Sequence, residues 1–122
     1  MERKHKTVIM VDDDAANLAA GYSALAEKYN VFTASSGEDL FNILYRVSPD
    51  VILLDIEMPG MNGYDVIKEL KSSEHNKHIP VIFLSGHTDP VDENEGLELG
   101  AVGHVTKPFS REQLVEQIDK HV

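Results

Sequence analysis

Thr7-Val8-Ile9-Met10-Val11-Asp12-Asp13-Asp14 is the stretch on which the reading of this chain turns. Five apolar or β-branched residues come first, and three carboxylates follow at once. A strand with one wet face alternates apolar and polar residues. An unbroken apolar run fits a strand covered on both faces, as in a parallel sheet. The charges then fall just beyond its C-terminal end, where open parallel sheets gather their ligands.

Four more runs of the same kind follow, at residues 31–34, 51–54, 81–84 and 102–105. Segments of helical period separate them. Leu18, Tyr22, Leu25 and Tyr29 form one stripe, and Leu40, Leu44 and Val47 another. Val66, Ile67 and Leu70 form a third, and Leu114, Ile118 and Val122 close the chain. Each stripe reads as a core face. The segment 90–99 carries a poor stripe, with Gly96 inside it and Gly100 as its C-terminal stop. Ser35 with Glu38 and Ser110 with Gln113 have capping-box spacing, Asp14 reads as a helix cap, and Asp89-Pro90 reads as an N-cap followed by a first-turn proline. The order is βα repeated five times. It predicts a doubly wound α/β domain with a five-stranded parallel sheet, right-handed crossovers and helices on both faces. A chain of 122 residues is expected to form one such domain over residues 1–122.

Composition removes several function classes. There is no cysteine, which excludes disulfide scaffolds, thiolate metal sites and cysteine nucleophiles. Lysine plus arginine is 11 and aspartate plus glutamate is 21, so the net charge is 11 − 21 = −10. A surface this acidic argues against direct contact with nucleic acid or an anionic membrane. No run approaches the roughly 20 apolar residues of a spanning helix, and a cytoplasmic protein is the expectation. His75 and His78 lie in a polar stretch and read as solvated loop rather than a metal pair.

The strand ends carry complementary chemistry. Asp12, Asp13 and Asp14 follow the first run, and Asp55 follows the third, leading into Ile56-Glu57-Met58-Pro59-Gly60-Met61-Asn62-Gly63. Ser85-Gly86-His87 follows the fourth and Thr106-Lys107-Pro108 the fifth, whereas the second ends only in the turn residues Ser35-Ser36-Gly37. The strand order 2-1-3-4-5 would bring the four charged or hydroxyl-bearing ends together. Asp12, Asp13 and Asp55 would then converge, and three close carboxylates cannot all stay ionised unaided. A divalent cation relieves the repulsion. Oxygen-only ligands favour Mg²⁺, with Mn²⁺ as second choice, over zinc. The Lys107 ammonium and the Ser85 hydroxyl beside such a centre suit a phosphoryl group arriving on one carboxylate, a transfer governed by charge neutralisation and positioning.

With these motifs in order along essentially the whole chain, the sequence resembles the receiver domains of two-component response regulators, of the chemotaxis-regulator type. The matching residues are Val11-Asp12-Asp13, Leu54-Asp55-Ile56-Glu57-Met58-Pro59-Gly60-Met61-Asn62-Gly63, Leu84-Ser85-Gly86 and Thr106-Lys107-Pro108-Phe109. The resemblance implies a flavodoxin-like fold. It implies Asp55 as phosphoacceptor, taking its phosphoryl group from a sensor histidine kinase or a histidine phosphotransfer protein. It implies Mg²⁺ held by Asp13, Asp55 and the Glu57 backbone carbonyl, with Asp12 acting through water. Ser85 would be the switch hydroxyl, Gly86 the small residue beside it, and Lys107, followed by a cis proline bond, the partner of the phosphoryl oxygens or of Asp55. Glu57 and His87 fall at positions that tune phosphoryl lifetime. The switch position three before the lysine, usually Tyr or Phe, is His104 here. Catalysis would be limited to the domain's own phosphorylation and dephosphorylation.

The output expected on this reading is a surface made by the fourth helix, fifth strand and fifth helix. It would control an unknown output domain or protein, with a phosphorylation-dependent homodimer as one form of control. The stretch 96–110 resembles that of receivers attached to hybrid kinases or cyclic-nucleotide enzymes. Two other functions compete. One is a receiver that docks partners without being phosphorylated, a reading that His104 keeps alive. The other is a small Mg²⁺-dependent phosphohydrolase, since Asp55-x-Glu57 loosely resembles the Asp-x-Asp of haloacid-dehalogenase-like phosphatases, although that motif follows the first strand of its domain. A flavodoxin-like FMN carrier is disfavoured because the first βα loop offers three aspartates where phosphate needs donors.

Overall fold

The computed structural model describes residues 5–86 and 93–122. Strands and helices alternate: β1 (Thr7–Val11), α1 (Ala15–Leu25), β2 (Asn30–Ala34), α2 (Gly37–Leu44), β3 (Val51–Asp55), α3 (Gly63–Lys71), β4 (Val81–Gly86), α4 (Glu93–Leu99), β5 (Gly103–Lys107) and α5 (Arg111–His121). The five strands form one parallel sheet in the order β2-β1-β3-β4-β5, the flavodoxin-like arrangement expected.

The unbroken apolar runs divide by parity into two cores. Ile9, Val11, Ile52, Leu54, Val81 and Phe83 face one side, where Leu40, Leu44, Val66, Ile67 and Leu70 of α2 and α3 cover them. Val8, Met10, Val51, Leu53, Ile82 and Leu84 face the other, under Leu25, Leu114 and Ile118 of α1 and α5. Each buried Leu or Ile contributes about 1.5–3 kcal/mol of transfer free energy, so this pattern fixes the register strongly. β2 departs from the expectation of two covered faces. It is an edge strand, and Phe32 and Thr33 are exposed.

Three strand ends run further than the apolar runs suggest. β3 includes Asp55, β4 includes Ser85 and Gly86, and β5 covers Gly103–Lys107 rather than 102–105. Asp55 aligns with Leu84, Ser85 with Thr106, and Gly86 with Lys107. The ladder depends on backbone amides and carbonyls, so it continues past the point where apolar side chains stop. Asp55, Ser85 and Lys107 therefore stand on the sheet rather than on loops, while Asp12 and Asp13 follow directly after β1.

Helix termini follow local hydrogen-bonding chemistry. Asp14 caps α1, accepting from the Ala16 and Asn17 amides. Ser110 and Gln113 form the expected capping box on α5. The α2 cap is Ser36 rather than Ser35: Ser36 accepts from the Asp39 amide, and Ser35 instead donates its hydroxyl to the Asp39 carboxylate. The tandem serines made the register ambiguous. An unforeseen capping box, Asn62 with Asp65, starts α3. Gly100, at φ +106°, ends α4: its amide donates to the Leu97 carbonyl and the Ala101 amide to the Gly96 carbonyl, a Schellman arrangement. Asp89-Pro90 and His87 lie outside the described residues.

The first stripe is only partly a core face. Tyr22 is half exposed, and α1 meets the sheet through Gly21 and Leu25. A Cβ on Gly21 would stand 2.1 Å from the Met10 sulfur, so any side chain there would have to push the Met10 thioether aside. Val122 lies beyond α5 and is exposed. Tyr29 lies beyond α1 but is buried, and its hydroxyl donates to Asp119 Oδ1 at 2.7 Å while Lys28 Nζ lies 2.6 Å from Oδ2. This contact ties the end of α1 to α5. The Lys28 pair is exposed and contributes little, so the phenol carries the tie. Tyr29→Phe is expected to cost about 1 kcal/mol, lowering Tm by roughly 4 °C, with calorimetry as the check.

Candidate functional site

At the C-terminal edge of the sheet three carboxylates converge. Asp12, Asp13 and Asp55 each offer an oxygen within 4.8 Å of the others, the one such cluster of acidic or imidazole groups among the described residues. Asp12 and Asp55 are almost fully buried, at 0 % and 2 % exposure, and Asp13 is exposed. The Asp12 carboxylate accepts from the Asp14 amide at 2.9 Å, fixing its direction. Asp14 itself points away as the α1 cap, as expected. His75 and His78 are exposed turn residues.

Lys107 closes the cluster from β5. Its Nζ donates to Asp55 Oδ1 at 3.1 Å and to Asp12 Oδ2 at 3.3 Å. The Lys107-Pro108 peptide is cis. Burial pushes the Asp55 carboxyl up to about 6 and the Asp12 charge adds to the push, while Lys107 and the Glu57 amide pull the other way. Burial would lower Lys107, but its hydrogen bond to Asp55 and the charges of Asp12 and Asp55 outweigh it and hold the ammonium above its ordinary range. One ammonium thus offsets part of the repulsion between two buried carboxylates. The donor set is oxygen only, anionic and partly open through Asp13, which fits a hard divalent cation such as Mg²⁺.

Ser85, 2 % exposed, stands near the end of β4. Its Oγ lies 2.5 Å from His104 Nε2. The contact was not anticipated from the sequence, although a signal for it exists. Phe83 aligns with His104 and Ser85 with Thr106, so Ser85 and His104 are diagonal neighbours on one face. Glu57, in the loop after β3, has an exposed side chain. Gly63, which reads as a turn residue, does more than turn the chain. A Cβ there would meet the Asp55 carbonyl oxygen at 2.5 Å and Ile56 Cα at 2.7 Å, and the Gly63 amide donates to the Ile56 carbonyl at 2.7 Å. The start of α3 is therefore seated directly on the backbone that presents Asp55.

Residues 8–119 match the response regulator receiver domain. The chain is 44 % identical over 116 residues to a probable cyclic di-GMP phosphodiesterase of Vibrio cholerae, covering 95 % of this chain and 26 % of that protein. It is 40 % identical over 119 residues to the probable transcriptional regulator ycf27 of Guillardia theta, covering 97 % of this chain and 45 % of that protein. Among solved structures, the chemotaxis response regulator CheY4 of Vibrio cholerae is similar with a TM-score of 0.88 and 28 % identity, over 98 % of this chain and 100 % of that one. The chain therefore belongs to the response regulator receiver domain family of two-component signalling. It spans from about a quarter to just under half of the two curated relatives' lengths.

Two outcomes follow from this geometry. In metal-free buffer the Asp55 charge is a penalty on the fold, absent below the ordinary carboxyl pKa of 3.8 and complete above about 6. Wild type should lose stability as pH rises through that window, because the native state holds the proton longer than the unfolded chain does. Asp55→Asn should melt several degrees higher than wild type at pH 7.5, with the gain vanishing near pH 4; an equal gain at both values would contradict the assignment. Separately, Gly63→Ala should cost about 1–3 kcal/mol, because the atoms it meets are backbone and cannot rotate aside; urea denaturation reads this directly.

Proposed function

We propose that residues 1–122 are a single phosphoacceptor receiver domain, and that Asp55 takes a phosphoryl group from the phosphohistidine of a sensor histidine kinase or histidine phosphotransfer protein. The observation that carries the reading is Asp55 itself: a buried carboxylate with Lys107 on one oxygen and Asp12 and Asp13 beside it. In the transfer, an Asp55 oxygen forms a bond to phosphorus as the phosphorus–nitrogen bond of the donor breaks, and the imidazole nitrogen keeps the electron pair. Lys107 is anchored where negative charge accumulates and would follow the phosphoryl oxygens. Asp13, Asp55 and the Glu57 backbone carbonyl would hold Mg²⁺, with Asp12 acting through water, and the ion when bound supplies further charge neutralisation. Ser85 would donate its hydroxyl to the new group, and His104 would pass the change to the surface of α4, β5 and α5.

The receiver would control an output domain or protein through the surface of α4, β5 and α5, and a phosphorylation-dependent homodimer is one form that control would take. We place the domain in the cytoplasm; no helix among the described residues is long and apolar enough to cross a membrane. The phosphohydrolase reading is weakened because Asp55 lies on β3, the third strand in sequence.

Intact mass after incubation with acetyl phosphate and Mg²⁺ tests the proposal. One phosphoryl group should appear on the wild type and be absent from Asp55→Asn and from a sample treated with EDTA. A folded wild type that binds Mg²⁺ but gains no mass would overturn the reading in favour of phosphorylation-independent docking.

A further inference from the structure

The Ser85 hydroxyl has a single proton to give. Its Oγ is buried, and His104 Nε2, at 2.5 Å, is its one side-chain partner among the described residues. A buried hydroxyl proton without an acceptor is costly, whereas an unused oxygen lone pair costs less. With the ring proton on Nδ1, the arrangement that satisfies the hydroxyl has Ser85 donating and the imidazole Nε2 accepting. That same hydroxyl proton is the one a phosphoryl oxygen on Asp55 would need. Ser85 can serve one acceptor at a time.

We infer that the hydrogen bond in which Ser85 donates to an unprotonated His104 Nε2 and the contact of Ser85 with a phosphorylated Asp55 are mutually exclusive, so that His104 is a positioning residue that holds the receiver in its unphosphorylated form. The inference rests on Asp55 as phosphoacceptor. An aromatic ring such as Phe at position 104 would fill space without competing for the hydroxyl; the imidazole competes directly. Phosphorylation then exchanges one acceptor for another and releases this hold on the ring, which stands on β5, paired among the described strands with β4 alone. The signal leaves Ser85 through a broken hydrogen bond, in addition to any change in packing.

The test is the rate of phosphoryl gain from acetyl phosphate and Mg²⁺, followed by intact mass. His104→Phe, which keeps a ring and removes the acceptor, should be phosphorylated roughly two- to tenfold faster than wild type, the range that corresponds to losing one ordinary hydrogen bond. His104→Gln, whose amide oxygen can accept in place of Nε2, should return the rate towards the wild-type value. In a Ser85→Ala background His104→Phe should add nothing, an outcome that a merely structural role for the ring would not produce. Equal rates for wild type and His104→Phe, or an undiminished effect in the Ser85→Ala background, would overturn the inference and leave Asp55 as phosphoacceptor intact. Absence of phosphoryl gain in both wild type and His104→Phe would instead overturn the phosphoacceptor reading, and this inference with it. Loss of the Nε2 hydrogen-bond signature in the imidazole nitrogen spectrum on adding beryllofluoride and Mg²⁺ gives a second readout; an unchanged signature in a saturated sample would count against the exchange.

Discussion

Two carboxylates withdrawn from water and sharing one ammonium are the constraint around which this molecule is organised. Taking an ion out of water costs several kcal/mol even after relaxation, and pairing recovers that cost only with good geometry. Asp55 ends the central strand β3, which pairs with β1 on one side and β4 on the other, and Asp12 follows directly after β1, its amide donating to the Ala34 carbonyl. Lys107 reaches both from a strand two places away from β3. The apolar runs that precede these residues are what make the placement rigid. Hydrophobic burial on two faces thus holds in place an electrostatic arrangement that would not assemble by itself.

Much of this was legible in the residues. Unbroken apolar runs identified a parallel sheet, and the contrast between chemically rich strand ends and the plain end at Ser35-Ser36 pointed to the strand order. The convergence of Asp12, Asp13, Asp55 and Lys107 follows from that order alone. What escaped has definite physical causes. Polar residues at Asp55, Ser85 and Lys107 hide the continuation of the ladder, which depends on backbone groups and leaves no mark on side-chain polarity. Gly21 erased part of the α1 stripe because the closest packing position is filled by the absence of a side chain, and Tyr22 filled a helical period while facing solvent. The α2 cap shifted by one residue because two adjacent serines are equivalent until Asp39 chooses between them.

The site residues differ in how far the sequence alone reveals them. The carboxylates and the lysine announce themselves by charge, and their roles follow from Coulomb's law. Gly63 and the Ser85–His104 pair required knowledge of register: one is a close approach between a helix start and a strand end, the other a diagonal relation between neighbouring strands. Neither is visible in composition or spacing, yet both decide how the carboxylate and the hydroxyl are presented. Loop residues often carry such functions; here the supporting geometry is held by the strands and by the Asn62–Asp65 capping box.

The position of β5 has a mechanical consequence. Among the described strands, β1, β3 and β4 each have a neighbour on either side, whereas β5 has one on a single side. Asp55 therefore stands on a strand paired on both sides, and Lys107 and His104 on one paired on a single side. The order of the strands thus decides which wall of the pocket is held by a single ladder.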